Sequence, residues 1–335
     1  MSHSVLLSSP VTQTVQRPCD FTIVICTYDG AQRLPAVLDL LLQQHGVHDV
    51  RWEVFVIDNN SSDSTKAVVR QYQKDWPVEI PLRYFFEKRQ GAAYARQLAM
   101  EKARSELVGF LDDDNLPADN WVAAAYKFGQ DYPHVGAYGS QIHGQFDGDL
   151  PEDFHRIKSF FALTQRGETA HAYKPRLRVL PPSAGLVVRR KAWLNHVPEQ
   201  LILTGRHDEQ MLTGEDLEAI THIRRGNWEI WHNPAMKVRH HIPARRLQRS
   251  YLISFFQGIG LSRHVTRMLN MPPWQRPFMF WAYVVNDLGK TVHHLLRYRT
   301  LLKTHTVSAC ELQLYLSSLM SPFYIWGILI KRRLY

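Results

Sequence analysis

The sequence predicts an α/β fold, a mostly parallel sheet with helices on both faces, followed by a helical, basic carboxy-terminal region. Three observations predict it. Between Phe21 and Leu111, four short apolar runs alternate with three segments of helical period. The runs are almost wholly apolar and β-branched, as strands covered on both faces are. Several of them stop abruptly at polar residues, at the end of a parallel sheet where ligands bind. A chain of 335 residues, 45% hydrophobic and 21% charged, can bury a large core, which excludes disorder and collagen-like repeats.

Phe21 to Thr27 (FTIVICT) is the first strand, and Leu34 to Gln44 repeats leucine at helical spacing. Glu53 to Asp58 (EVFVID) is the second strand. A helix capped by Ser62 or Asp63 follows through Lys74 and is stopped by Pro77. Leu82 to Phe86, an alanine-rich helix from Gly91 to Arg104, and a strand from Leu107 to Leu111 complete the series. A helix from Pro117 to about Gln130 and a strand from Val135 to His143 come next. Residues 144–180 lack clean periodicity and are rich in Gly, Pro and charge, the composition of loops over a site. A strand at Gly185 to Arg189, a helix at Glu215 to Arg225 and a short strand at Trp228 to Trp231 follow. The organisation expected is a flexible tail over 1–19, a catalytic α/β domain over 20–245, and a basic helical region over 246–335.

The net charge of +9 is unevenly spread. Residues 237–335 hold fifteen Lys and Arg against Asp287 and Glu311, so this stretch carries +13 and leaves −4 on residues 1–236. An acidic front is a poor surface for nucleic acid, whereas a basic, aromatic back suits an anionic membrane surface. Three cysteines, Cys19, Cys26 and Cys310, are too few and too dispersed for a disulfide framework or a thiolate zinc site, and fit a reducing compartment. The first twenty residues lack the charged and apolar regions of a secretion signal, so a cytoplasmic location is expected, peripheral on the membrane face.

The chemistry concentrates at the strand ends. Leu111-Asp112-Asp113-Asp114-Asn115 closes the fourth strand with three mutually repelling carboxylates. In extended backbone, side chains two apart share a face, so Asp112 and Asp114 can converge on Mg²⁺ or Mn²⁺. The same acids on an arbitrary turn would be solvated capping groups. At the end of a parallel strand they lie where nucleotides bind. Thr27-Tyr28-Asp29-Gly30 and Asp58-Asn59-Asn60 mark the neighbouring edges of that crevice, with Tyr28 suited to stack on a base and Asp58 to accept from a base or ribose. Lys88-Arg89-Gln90-Gly91 places cations ahead of a helix, with Arg96 inside it, a seat for phosphate. There is neither a GxGxxG after the first strand nor a GxxxxGK[ST], which removes the usual support for dinucleotide oxidoreductases and P-loop enzymes.

This pattern resembles the family 2 glycosyltransferases, which share the Rossmann-like GT-A fold. The likeness runs over about residues 20–245, through ICTYDG, VIDNNSSDST, the DDD cluster, RQGAAYAR, GEDLE and KVRHHIP. It implies that Asp216, with Glu215 beside it, is the general base, and that Asp112, Asp114 and His240 bind the metal. It also implies a nucleotide-sugar site of Thr27, Tyr28, Asp58, Arg89, Gly91, Arg96, Asp112 and Asp113. Asp29 stands where the family usually has Asn, and Asp113 fills the variable middle of the acidic motif. Which two of the three carboxylates touch metal, and whether His240 or His241 completes the site, stays open. The segments LPPSAGLVVRR, GNWEIWHNP and YLISFFQGIGLSRH resemble the cyanobacterial subfamily named for hormogonium polysaccharide biosynthesis, which implies exopolysaccharide assembly.

The resemblance further implies transfer from a nucleotide-sugar, UDP favoured, to a saccharide or lipid-linked acceptor. With Asp216 as base opposite the leaving diphosphate, transfer inverts the anomeric configuration. Beyond Pro243, ARRLQRSYLISFFQGIGLSRHVTRML mixes arginine with large apolar groups and predicts either an amphipathic helix lying on lipid or helices packed on the catalytic domain or a dimer partner. Leu312 to Ile330 carries no charge and precedes Lys331-Arg332-Arg333, predicting a segment seated in the membrane interface in preference to a single spanning helix.

Overall fold

The computed structural model describes residues 19–174, 179–206 and 212–334, so the expected amino-terminal tail lies outside the described residues up to position 18. The chain opens with β1 (Phe21–Thr27), α1 (Leu34–Leu42), β2 (Trp52–Asp58), α2 (Thr65–Asp75), β3 (Leu82–Phe86), α3 (Ala92–Lys102) and β4 (Leu107–Asp112). β1 is paired in parallel to both β2 and β4, and β2 to β3. Every residue of β1 and β2 is buried, because helices cover both faces, and this is why the apolar runs show no alternation. Pro35 near the start of α1 costs no helical hydrogen bond there. The Asp63 carboxylate accepts from Thr65 N–H at 2.9 Å and so ties down the entry to α2. Gly91, at the head of α3, has φ +134°, and a Cβ there would lie 2.5 Å from the Thr204 carbonyl, so glycine is required on two counts.

Beyond β4 come β5 (Asn115–Pro117), α4 (Trp121–Asp131), β6 (Val135–Phe146), β7 (His171–Ala172), β8 (Leu186–Arg189), α5 (Arg190–His196), α6 (Glu215–Arg225) and β9 (Glu229–Ile242). The sheet order is β3-β2-β1-β4-β8-β6-β9-β5, with β7 beside β9. The sheet changes character at β4. β8 is antiparallel to both β4 and β6, β5 is antiparallel to β9, and β6 and β9 run parallel.

The short strand expected at Trp228 to Trp231 is the start of a strand running to Ile242. The chain bulges around Pro234: Ser140 pairs with Asn233 and Gln141 with Lys237, and pairing then resumes. The strand expected to stop at His143 likewise runs to Phe146.

The carboxy-terminal region is α7 (Arg249–Leu269), α8 (Arg276–Tyr298) and α9 (Thr306–Leu334). Here one expectation is corrected. α7 does not lie on lipid: Leu252, Phe255 and Phe256 are buried with Phe161, Ile242, Val307 and Leu314. Its arginines alternate with apolar groups because the helix is sandwiched between the sheet domain and α9, and its cations reach out along the seams. Gly260 permits that approach, since a Cβ there would meet Ser317 at 2.5 Å.

Trp121 couples the two halves of the sheet. It is wholly buried, stacks near Phe21 with ring centroids 6.1 Å apart, and donates through Nε1 to Ser140 Oγ at 3.0 Å. The substitution Trp121→Ala should lower unfolding free energy by about 3–5 kcal/mol, read from the urea midpoint at unchanged slope.

Candidate active site

A cavity of about 880 Å³ opens at the carboxyl ends of β1 and β4. Among its lining residues are Tyr28 and Thr27 from the β1 loop, Asp112 and Asp114 from the β4 end, and Glu215 and Asp216 from the start of α6. Its other wall comes from residues 159–166, within the region expected to form loops over a site.

Arg96 organises the floor. It projects from α3, is almost fully buried, and donates to Glu215 Oε1 and Ser183 Oγ, each at 2.9 Å. Its Nη2 lies 3.5 Å from Asp112 Oδ1. Burial opposes the charge on this guanidinium, but Glu215 and Asp112 outweigh it and hold Arg96 protonated above its ordinary range. Arg96 lines the cavity; its Nη groups are engaged by Glu215 and Ser183, while its Nε is buried without a hydrogen-bond partner.

The acidic triplet divides by direction. Asp113 turns away from the cavity, where its oxygens accept from Arg33 Nε and Nη2, each at 2.9 Å, and from Thr27 Oγ1 at 2.6 Å. That binding locks the β1 loop to the β4 end and removes Asp113 from the donor site expected for it. Asp112, the last residue of β4, and Asp114, in the turn before β5, both face the cavity. Burial, opposed by Arg96 and reinforced by Asp114, pushes the Asp112 carboxyl up to about 6. Burial works against ionisation at Asp114 too, but His240 and Arg246 prevail and hold its carboxyl well below the usual range.

His240 reaches Asp114 because β5 pairs with β9, with Asn115 opposite His240. Strand alternation sends His241 the other way, onto Asp147 Oδ2 at 2.6 Å. Within His240, Nδ1 is 3.0 Å from the Phe161 carbonyl, which can only accept. Nδ1 therefore donates to that carbonyl, which leaves Nε2 facing Asp114 Oδ2 at 3.5 Å. A cation can seat between the two. The Arg246 guanidinium supplies one, with Nη1 2.8 Å from Asp114 Oδ2 and 3.3 Å from His240 Nε2.

This donor set, two carboxylates and an imidazole nitrogen oriented by a backbone carbonyl, fits Mn²⁺ or Mg²⁺. Among the described residues, no three such side chains are gathered tightly enough to hold an ion. Arg96 draws Asp112 to one side, and Arg246 engages Asp114 and His240 on the other.

Asp216 sits at the head of α6 after Gly214, whose φ is +98°. Its Oδ2 accepts from Ser183 N–H at 2.9 Å and its Oδ1 from Leu217 N–H at 2.7 Å, leaving further lone pairs toward the cavity. Burial and the adjacent Glu215 push its carboxyl up, while Arg96 and the two N–H donors restrain the rise.

Three other expected contacts are corrected. Asp58 is buried, with Oδ2 accepting from Tyr84 Oη at 2.6 Å and Oδ1 from Ser61 N–H at 2.9 Å, so it braces β3 and the following loop. Arg89 turns to Glu87, two residues back, through Nε at 3.0 Å and Nη2 at 2.9 Å, and does not line the cavity. Gly91 shapes the turn through an N–H bond to Asn59 Oδ1 at 2.7 Å.

Sequence reasoning missed Asn59, Ser183 and Arg246, all of which line the cavity. Asn59 was legible as a neighbour of Asp58. Ser183 carried no signal of its own, and Arg246 was read with the lipid-facing arginines.

A helix-covered sheet ending in this acidic cavity defines a GT-A glycosyltransferase. The fold is shared with the mannosyltransferase PcManGT from Pyrobaculum calidifontis, solved with GDP-Man and Mn²⁺, at 20% identity and a TM-score of 0.57, covering 94% of this chain and 87% of that one. S. aureus TarS 1–349, solved with UDP-GlcNAc, aligns at 15% identity and a TM-score of 0.51, covering 92% of each chain. Residues 22–194 match the model of the family described as Glycosyl transferase family 2, and the chain belongs to that family. Curated relatives include the putative teichuronic acid biosynthesis glycosyltransferase TuaG of Bacillus subtilis, 30% identical over 101 residues, 30% of this chain and 36% of TuaG. The GalNAc(5)-diNAcBac-PP-undecaprenol beta-1,3-glucosyltransferase of Campylobacter jejuni is 33% identical over 105 residues, 30% of this chain and 32% of that protein. The chain thus spans about a third of the length of these relatives.

The Asp113 contacts generate a stability prediction independent of catalysis. Asp113→Ala strands Arg33, whose side chain is 27% exposed, so the loss should fall below the ~3–5 kcal/mol of a fully buried pair. Urea denaturation should show a lowered midpoint, and a midpoint equal to that of the unaltered chain would mean the lock contributes nothing.

Proposed function

We propose that this enzyme inverts configuration, depends on a divalent cation, and moves a sugar from a nucleotide-sugar, UDP favoured, to a saccharide or lipid-linked acceptor in polysaccharide assembly. The observation that carries the reading is the meeting of Asp112, Asp114, His240 and Asp216 around one cavity, from segments far apart in the chain. The exopolysaccharide role rests on the subfamily resemblance. The lipid-linked acceptor draws support from the Campylobacter relative, whose name specifies an undecaprenol-linked acceptor. UDP is favoured by the family resemblance, and TarS was solved with UDP-GlcNAc.

In this reading Asp112, Asp114 and His240 would hold Mn²⁺ or Mg²⁺, whose charge offsets that of the departing diphosphate. Tyr28, half exposed at the cavity edge, offers its ring to the base. Asp216 takes the proton from the acceptor hydroxyl as that oxygen bonds to the anomeric carbon, and the electron pair of the broken bond leaves with the diphosphate. Glu215 holds Arg96, which keeps a positive charge beneath the reacting groups. A carboxylate whose affinity for protons is raised by burial is a better base near neutral pH than a solvated one.

A panel of nucleotide-sugars tested for Mn²⁺-dependent diphosphate release, with native membranes as acceptor source, tests the proposal. UTP is included because a nucleotidyltransferase would release pyrophosphate from it. An α-linked donor should give a β-linked product, visible in the anomeric proton coupling. Asp216→Asn should reduce kcat by about 10²–10⁴ while donor affinity changes little. For the unaltered chain kcat/KM should fall as pH drops through the raised Asp216 pKa, because the base must be ionised, and this limb should lie above the ordinary Asp value of about 4. Near-normal turnover by the Asn variant removes Asp216 from the base role.

The position of Arg246 generates a further expectation. If its guanidinium stands where the cation binds, Arg246→Gln should tighten Mn²⁺ binding roughly tenfold, read by the electron paramagnetic resonance of free Mn²⁺. Unchanged or weaker binding would place the cation elsewhere.

A further inference from the structure

α8 is amphipathic in the reverse sense to an ordinary surface helix. Its protein-facing side is polar: Asp287, Thr291 and His294 are buried. Asp287 accepts from Arg267 Nη2 at 3.0 Å, Thr291 bonds back to the Asp287 carbonyl at 2.7 Å, and His294 Nε2 lies 2.8 Å from the Ser308 carbonyl. The outward side is apolar. Phe278, Trp281, Val285, Leu288, Val292 and Leu296 recur at spacings of three and four residues, and all are exposed, Phe278 at 75% and Leu296 at 76%. A face of this kind covers far more than the scattered apolar residues of an ordinary surface.

The face continues onto α9. Phe280 stacks on Trp326 at 6.4 Å between centroids and contacts Trp281 at 5.1 Å, while Phe323 meets Trp326 at 5.8 Å. Met320, Phe323, Trp326 and Ile330 are among the exposed apolar residues of α9. α9 is long and apolar enough to cross a membrane by length and composition. Its serines, however, are bonded to α7: His264 N–H donates to Ser321 Oγ at 2.9 Å, and Arg263 donates to Ser318 Oγ at 3.4 Å. α9 is thereby held against the protein, with one side left outward.

The charge around the face has one sign. Lys290, Arg297, Arg299, Lys303 and Lys331 are exposed beside it. The two acids of these helices are taken internally, Asp287 by Arg267 and Glu311 by Arg156, whose Nε is 3.1 Å from Glu311 Oε1. A second copy of the chain docked on this face would set cation against cation. An anionic lipid surface matches both the charge and the aromatic, apolar stripe.

We propose that the outward face of α8, continued by Met320, Phe323, Trp326 and Ile330 of α9, docks the enzyme on an anionic lipid bilayer, lying in the interface and not crossing it. The docking element is thus α8, and not the buried α7. The proposal stands apart from the donor chemistry, since its readout needs no turnover.

The test is co-sedimentation of the full chain with vesicles of phosphatidylcholine alone and of phosphatidylcholine with phosphatidylglycerol. Binding should be at least about tenfold tighter to the anionic vesicles at low salt and should weaken as salt rises. The double variant Trp281→Glu with Val285→Glu should lose at least about tenfold in binding. Its circular dichroism and Tm should be unchanged, because both side chains face outward. As a check needing no variant, brominated lipids in the anionic vesicles should quench the tryptophan fluorescence of the unaltered chain. Absence of binding and quenching, or equal binding by the double variant, overturns the proposal. So does a dimer in light scattering that the variant converts to a monomer without any vesicle binding.

Discussion

A single buried guanidinium fixes the geometry on which the site depends. Arg96 is almost fully enclosed, and it meets Glu215 across 119 positions of sequence and Asp112 at the end of the neighbouring strand. A buried charge is costly without partners, and two carboxylates brought together repel without a cation between them. Neither side of this arrangement is stable alone. The sheet strand β4, the helix α3 and the helix α6 are consequently held in one relative position, which brings the Asp216 carboxylate and the acidic strand end into one cavity. The same requirement explains why the Nη groups of Arg96 are engaged from within the protein.

A second cation, Arg246, repeats the device at the far wall, but with a difference that bears on chemistry. Arg96 is enclosed by groups that come from the core of the sheet domain. Arg246 follows the end of β9 in a short helical turn, Ala244–Leu247, where a small backbone change is enough to move a side chain. His240 Nδ1 donates to the Phe161 carbonyl, its Nε2 stands 3.5 Å from Asp114 Oδ2, and Arg246 lies within reach of both. In the proposed reading Arg246 would give way to the metal ion while Arg96 stays in place, one cation replacing another at Asp114 and His240.

The parallel half of the fold was legible because its information is local. β1, β2, β3 and β4 announce themselves by apolar runs, and the polar residue closing each run falls at the sheet edge by simple counting. The acidic triplet could be split only partway by the same counting. Alternation puts Asp112 and Asp114 on one side, but nothing local shows that Asp113 is claimed by Arg33 and Thr27. Asp58 and Arg89 were misplaced for a related reason: Tyr84 and Glu87 compete for them, and such competition is settled in three dimensions. The antiparallel half was largely hidden. Three residues make β5, too few for a periodic signal, yet its pairing with β9 is what separates His240 from His241. The bulge that lets β9 run past Pro234 has no signature short of the pairing itself.

The carboxy-terminal helices show the limit of periodicity most sharply. A repeat of three and four residues says that a helix has two unlike faces, and nothing about which one meets the protein. In α7 the apolar face turns inward, and its interspersed arginines suggested lipid only because no partner was visible in the sequence. In α8 the same kind of pattern turns outward. The reversal follows from Arg267, Ser308 and Asp287: the buried Asp287 carboxylate needs a cation, and α8 reaches Arg267 of α7 only if its polar stripe faces α7 and α9. Once that stripe is committed inward, geometry leaves Phe278, Trp281 and Val285 no direction but out. The exposed apolar face is thus a consequence of pairing a buried carboxylate. Its flanking cations, unmatched by any exposed acid of α8 or α9, determine what kind of surface can cover it.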